Sequence, residues 1–173
     1  YIGLALISKF LTTLDYGALT FSLIKRTEAE LQAIKNLQSL PLRLTSSGYL
    51  SGEVQVEGVE NPLNFIVDTG ASISVISEDL ASMDRINQYI SEERLRVVGA
   101  AGVTEDVPSF LLPKITFGNN SREKIMAIAL DLDIINEASG FRQAGILGGN
   151  FLKNYRLTFD FKNSKVIFTP VGK

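Results

Sequence analysis

Residues 65–77 read Phe-Ile-Val-Asp-Thr-Gly-Ala-Ser-Ile-Ser-Val-Ile-Ser, and no other stretch restricts the fold of this chain as much. One apolar run delivers a single carboxylate, Asp68, into a Thr-Gly turn, and a second apolar run follows at once. The first run has the texture of a short strand. A strand that ends on a lone carboxylate inside apolar flanks is costly unless donors surround it. Thr69 offers a hydroxyl, Ser72 can donate to the carboxylate, and Gly70 permits a tight turn with close backbone approach. Asp, Thr and Gly are all turn formers, so the tripeptide alone fits any surface turn. The apolar arms on both sides set this one apart.

The texture around it is that of a mostly β domain. Short alternating runs recur at 52–59, 63–67, 95–100, 114–118 and 124–132, with turn residues between them. Ser77, followed by Glu78 and Asp79, reads as the N-cap of a short helix near 78–84, and a second short helix is expected near 134–139. Ahead of the β region, residues 27–38 predict a helix. Thr27 and Glu30 form a capping box, Leu31, Ile34 and Leu37 share a face, and Leu40-Pro41 ends it. The apolar stretch 2–14 is too short to span a bilayer and is interrupted by Lys9, so it reads as buried structure and the chain predicts no membrane span.

Absences narrow the chemistry. The 173 residues include no His and no Cys, which removes Ser-His-Asp and Cys-His catalysis, disulfides and the usual zinc ligands. Acid–base work near neutral pH then falls to Asp, Glu, Lys or Tyr. Lys plus Arg number 17 against 19 Asp plus Glu, a net charge of −2 with no basic block, which argues against a nucleic-acid partner. No phosphate-cradling loop is present, because Gly145-Ile-Leu-Gly-Gly lacks the following Lys-Ser/Thr. Asp131 and Asp133 read as alternating on a solvated strand edge, and Glu92-Glu93-Arg94 as a solvated loop.

A search for repeats lays residues 2–16 on residues 147–161 at a constant offset of 145. Gly3 falls on Gly148, Thr13 on Thr158 and Asp15 on Asp160. After a short turn, ALTF at 18–21 lies on KVIF at 165–168, with two extra residues in the later copy. Residues 1–24 therefore read as the tail of a preceding domain of the same kind.

With these features in hand, the sequence resembles the retropepsin-like aspartic proteases over roughly residues 42–171. Ile66-Val67-Asp68-Thr69-Gly70-Ala71 matches that family's water-activating motif, and Ile146-Leu147-Gly148-Gly149-Asn150-Phe151-Leu152 matches its second motif. Val97-Val98-Gly99-Ala100-Ala101-Gly102-Val103 stands where the family places a glycine-rich flap. The resemblance implies a mostly β fold, a retropepsin-like closed β-barrel lobe with one or two short helices, preceded here by an N-terminal helix. It implies peptide-bond hydrolysis by water activated between two aspartates, with no metal and no organic cofactor. Asp68 would be one of the pair, Thr69 would brace the loops across their interface, Gly70 would shape the turn, and Ser72 would donate to the carboxylate. Val98, Gly99, Ala100, Ala101 and Gly102 would cover a peptide or protein substrate, and Ile146, Leu147 and Gly148 would pack behind the loop.

Two carboxylates held close share one proton, because both cannot ionise easily at that range. This chain has one Asp-Thr-Gly, so the partner acid must come from elsewhere. A homodimer mate would bring a second Asp68 across a two-fold axis, or an upstream repeat would supply it as a second lobe. The repeat favours the latter, with residues 1–24 as the tail of that repeat, 25–41 as a helical linker and 42–173 as the protease domain. The two-repeat form suggests an extracytoplasmic bacterial setting. The rival reading is a catalytically inactive peptide-binding or dimerisation module on the same fold.

Overall fold

The computed structural model describes residues 3–45, 47–99 and 102–171. Its elements begin with α1 (Leu4–Ile7), β1 (Leu11–Asp15), β2 (Thr20–Ile24), α2 (Glu28–Ile34), β3 (Ser39–Pro41) and β4 (Arg43–Leu44). They continue with β5 (Leu50–Val56), β6 (Leu63–Val67), β7 (Ser74–Ser77), α3 (Glu78–Ala81), α4 (Asp84–Asn87) and β8 (Ile90–Gly99). The last are β9 (Gly102–Phe117), β10 (Asn120–Leu130), α5 (Asp133–Ser139), β11 (Gly145–Leu147), α6 (Gly149–Leu152), β12 (Tyr155–Asp160) and β13 (Lys165–Pro170). Two units emerge, Thr45–Phe151 and, separately, Tyr1–Leu44 with Leu152–Lys173. Among the described residues no helix is long and apolar enough to cross a membrane.

In the unit 45–151 the strands pair in the order β5-β6-β11-β7-β10-β9-β8. β5 also pairs with β9, Val54 opposite Phe117 and Val56 opposite Ile115, so hydrogen bonding runs in a ring. Alternation decides which side chains fill it: Val54, Val56, Phe65, Ile76, Leu112, Ile115 and Leu147 are fully buried. The expectation of a mostly β fold holds. Ser77 caps α3 as its sequence predicts, its hydroxyl accepting the Leu80 amide at 3.2 Å. The helix stops at Ala81, and a separate turn, α4, follows.

In the other unit one sheet has the order β2-β1-β12-β13-β3. The capping box holds at its amide end, where Thr27 accepts the Glu30 N–H. The helix, however, ends at Ile34, not at residue 38. Residues 39–41 are drawn into β3, with Leu40 opposite Val166, so the chain must be extended by then. The N-terminal stretch also departs from expectation. α1 buries none of its residues, and only Leu11 and Thr12 of the described part of 2–14 are buried. A single turn is too short to present an apolar stripe to a core.

The repeat is tighter in space than in sequence. β1 pairs with β2 so that Asp15 faces Thr20, and β12 with β13 so that Asp160 faces Lys165. Both registers agree at one offset of 145, without the two-residue insertion the sequence alignment introduced. The turn residues correspond as well: Leu19 has φ 53° and Ser164 φ 50°. β1 and β12 pair antiparallel with Thr13 opposite Thr158, so each strand meets its own counterpart at the centre. Their hydroxyls lie 3.0 Å apart on what is a local pseudo-two-fold axis.

Candidate active site

β6 ends at Val67, and Asp68 follows on the loop to β7. Phe65, Ile66 and Val67 are buried, Asp68 is half-buried, and Thr69 and Gly70 are exposed. The apolar arms thus anchor a loop whose carboxylate reaches the surface. The Gly70 amide donates to Asp68 Oδ1 at 2.8 Å. A Cβ on Gly70 would stand 3.2 Å from that same oxygen, so the residue's smallness allows the donor to approach. The observed donor is therefore this backbone N–H. Ser72 is exposed and contributes its backbone carbonyl, which accepts the Asn150 amide at 3.1 Å.

The second motif lies between the two arms of the first. β11 pairs parallel with β6, Ile146 opposite Ile66 and Leu147 opposite Val67, and antiparallel with β7, Ile146 opposite Val75. The Asp68 amide donates to the Leu147 carbonyl at 3.1 Å, which fixes the backbone that carries the carboxylate. Gly148 comes next, where a Cβ would lie 2.3 Å from the Ile73 carbonyl oxygen, so no larger residue fits without moving the loop. Ile146, Leu147 and Gly148 do stand beside the Asp68 loop.

β8 and β9 form the expected hairpin, with Val98 opposite Val103 and Gly99 opposite Gly102. Ala100 and Ala101 lie outside the described residues. Near the tip the side chains are bare, Val98 74% and Val103 50% exposed. Register shifts between Ile90 and Arg94, and again between Leu95 and Val97, mark irregular pairing in the lower hairpin. Arg96 and Glu105 pair across it at 2.8 Å in full solvent, which contributes little. Below the tip, Leu95, Val97 and Val107 join an apolar cluster with Ile73, Val75 and Ile146. One cluster therefore connects the hairpin base, the chain after Asp68 and β11.

The sequence model of the aspartyl protease family matches residues 52–151, more than half of the chain. This chain belongs to the aspartyl protease family. Among solved structures it is similar to a retropepsin-like aspartic protease from Rickettsia conorii, at 17% identity and TM-score 0.53, over 77% of this chain and 92% of that one. EIAV protease complexed with the inhibitor HBY-793 aligns at 20% identity and TM-score 0.40, over 60% of this chain and 84% of that one. Basic 7S globulin from soybean aligns at 14% identity and TM-score 0.46, over 92% of this chain and 50% of that one. No curated protein matches.

Two features of this aspartyl protease chain escaped the sequence. Asp131 and Asp133 do not alternate on a strand, since β10 ends at Leu130. Asp131 Oδ1 instead accepts the Asp133 amide at 2.8 Å, turning the chain into α5. Ser74 and Asn150 carried no role in the sequence reading, yet Asn150 Oδ1 accepts both the Ser74 amide at 2.9 Å and the Ser74 hydroxyl at 2.8 Å. The available signal was polarity out of place, since Ser74 interrupts an apolar strand and Asn150 an apolar run.

Proposed function

We propose that this chain supplies one catalytic aspartate, Asp68, of an aspartic endopeptidase. The observation that carries the reading is a half-buried carboxylate at a strand end, held by the Gly70 amide and by the Asp68–Leu147 backbone bond, inside the family match. In the proposed reaction, Asp68 and a facing aspartate share one proton. The ionised member takes a proton from water as it attacks the peptide carbonyl, and the protonated member gives one to the leaving nitrogen. Thr69, exposed beside Asp68, would meet the partner's loop. Gly70 would hold the carboxylate, with Ser72 beside it, and residues 98–102 would close over the peptide. Ile146, Leu147 and Gly148 would buttress the loop.

For the source of the second aspartate we favour an upstream repeat over a homodimer mate. Residues 1–24 would be the tail of that repeat, 25–41 the linker and 42–173 the protease domain. The support is the single offset of 145 across both hairpins and the self-pairing of Thr13 with Thr158. The test is cleavage of a peptide library by the full protein and by its Asp68→Asn variant. The reading expects cleavage by the parent and a loss of roughly 10³-fold or more in kcat for the variant. Equal cleavage by both would overturn the role given to Asp68, and none by either would favour a non-catalytic peptide-binding module.

A further inference from the structure

Asn150 is held at both ends of its carboxamide. Its Oδ1 accepts the amide and the hydroxyl of Ser74, and its Nδ2 donates to the Met126 carbonyl on β10 at 2.6 Å. The orientation is forced, because the Ser74 amide can only donate and the Met126 carbonyl can only accept. The Ser74 hydroxyl also accepts the Gly148 amide at 3.1 Å, and Ser74 is fully buried. Around this centre the Gly149 amide donates to the Ala71 carbonyl at 2.7 Å and the Asn150 amide to the Ser72 carbonyl at 3.1 Å. Every residue from Ala71 to Ser74 except Ile73 is thus tied by hydrogen bonds to the segment 148–150.

We infer that Asn150 is a positioning residue for the Asp68 loop, acting through Ser74. The inference rests on the reading of Asp68 as catalytic. Asn150 touches no reacting atom in this scheme. It clamps the chain that leaves the loop while Leu147 holds the Asp68 amide. Between these two ties the loop has few ways to move, and a carboxylate that must meet its twin at short range tolerates little displacement. A carboxylate at position 150 keeps the acceptor but sets a charge, with no donor, against the Met126 carbonyl. An alanine there removes both ends and leaves buried polar groups unpaired.

The test uses the full protein with Asn150→Asp, Asn150→Ala and Ser74→Ala, read by peptide-cleavage kinetics and by hydrogen exchange of residues 68–74. The expected result is a kcat at least tenfold lower in each folded variant, with KM changed less than threefold. Exchange in 68–74 should rise about tenfold, while β5 and β9 keep parental protection. Parental kcat, a change in KM alone, or a uniform rise of exchange across the unit would overturn the inference. Should the position-150 variants fail to fold, Ser74→Ala, which deletes a single hydroxyl, decides by the same readings. A parent that cleaves no peptide defeats the reading of Asp68, and hydrogen exchange alone then decides whether Asn150 holds the loop.

Discussion

The β1–β2 and β12–β13 hairpins share register and turn conformation, yet their surroundings treat them differently. In β13, Val166, Ile167 and Phe168 are buried, whereas their counterparts in β2, Phe21, Ser22 and Leu23, are exposed or half-exposed. β13 lies between β12 and β3, while β2 stands at the outside of the sheet order. The paired aspartates diverge in the same way. Among the described residues, Asp15 Oδ1 accepts only turn amides, from Gly17 and Ala18, at 2.9 Å each. Asp160 keeps the equivalent turn bond from the Asn163 amide and adds Arg26 Nη1 at 2.5 Å, in a pair whose side chains are 13% and 6% exposed. A common backbone pattern therefore fixes the turn, and the neighbours decide what each carboxylate is worth.

The largest break in that equivalence should come at the aspartates. Asp160→Ala strands a guanidinium whose side chain is 13% exposed and should cost about 3 kcal/mol in denaturant unfolding, whereas Asp15→Ala loses turn bonds worth about 0.5–1.5 kcal/mol. Equal costs would mean that the Arg26 pair contributes nothing. Acid sharpens the contrast. Burial by itself would raise the Asp160 carboxyl, but the Arg26 hydrogen bond, then that of Asn163, and the Arg26 charge together hold it below its ordinary value of 3.8. A depressed folded value stabilises at pH above the unfolded one, and that stability is lost as pH falls from about 4 through the folded value. The stability of the parent minus that of Asp160→Asn should therefore shrink over this window, and a difference independent of pH would count against the assignment.

Phe168→Ala should cost about 3–5 kcal/mol, because the ring is 8% exposed and packs edge-on against Tyr155 at 5.2 Å. Its counterpart Leu23, 36% exposed, should lose about 1 kcal/mol or less on truncation, read by the same unfolding curves. Gly148→Ala forces a Cβ onto the Ile73 carbonyl and should cost about 1–3 kcal/mol, with loss of peptide cleavage. Gly3→Ala, its counterpart, meets no atom within 4 Å and should shift the melting temperature by no more than a degree or so. The smallest effect belongs to the pseudo-axis. Thr158→Val leaves Thr13 without its partner hydroxyl, for about 0.5–1.5 kcal/mol, and the double Thr13→Val/Thr158→Val variant should recover most of it. Additive losses would show that the two hydroxyls do not interact.

Much of the site was legible because its signals are local. The apolar arms of 65–77, the Ser77 cap and the second glycine motif each lie within a dozen residues. The hairpin alignment went astray for an equally physical reason. A slip of two residues keeps every strand side chain on the same face. Matching ALTF to KVIF therefore preserved the apolar pattern while placing β2 two positions from its true register. Asp131 and Asp133 misled because alternation describes a strand and an Asx turn equally well over three residues. The helix at α2 was overrun because the pairing that claims Ser39–Pro41 comes from residues 165–167.

The amino-acid sequence by itself determined the strand and Thr-Gly turn that carry Asp68, the capped helices and the absence of imidazole and thiol chemistry. These follow from side-chain type and from bonds between near neighbours. Only the tertiary structure decided that β11 enters between β6 and β7, that Asn150 grips Ser74 from 76 residues away, and that Arg26 pairs with Asp160 across 134. Such contacts leave no local periodicity, because their donors and acceptors meet only after the strands between them have paired and closed the intervening loops.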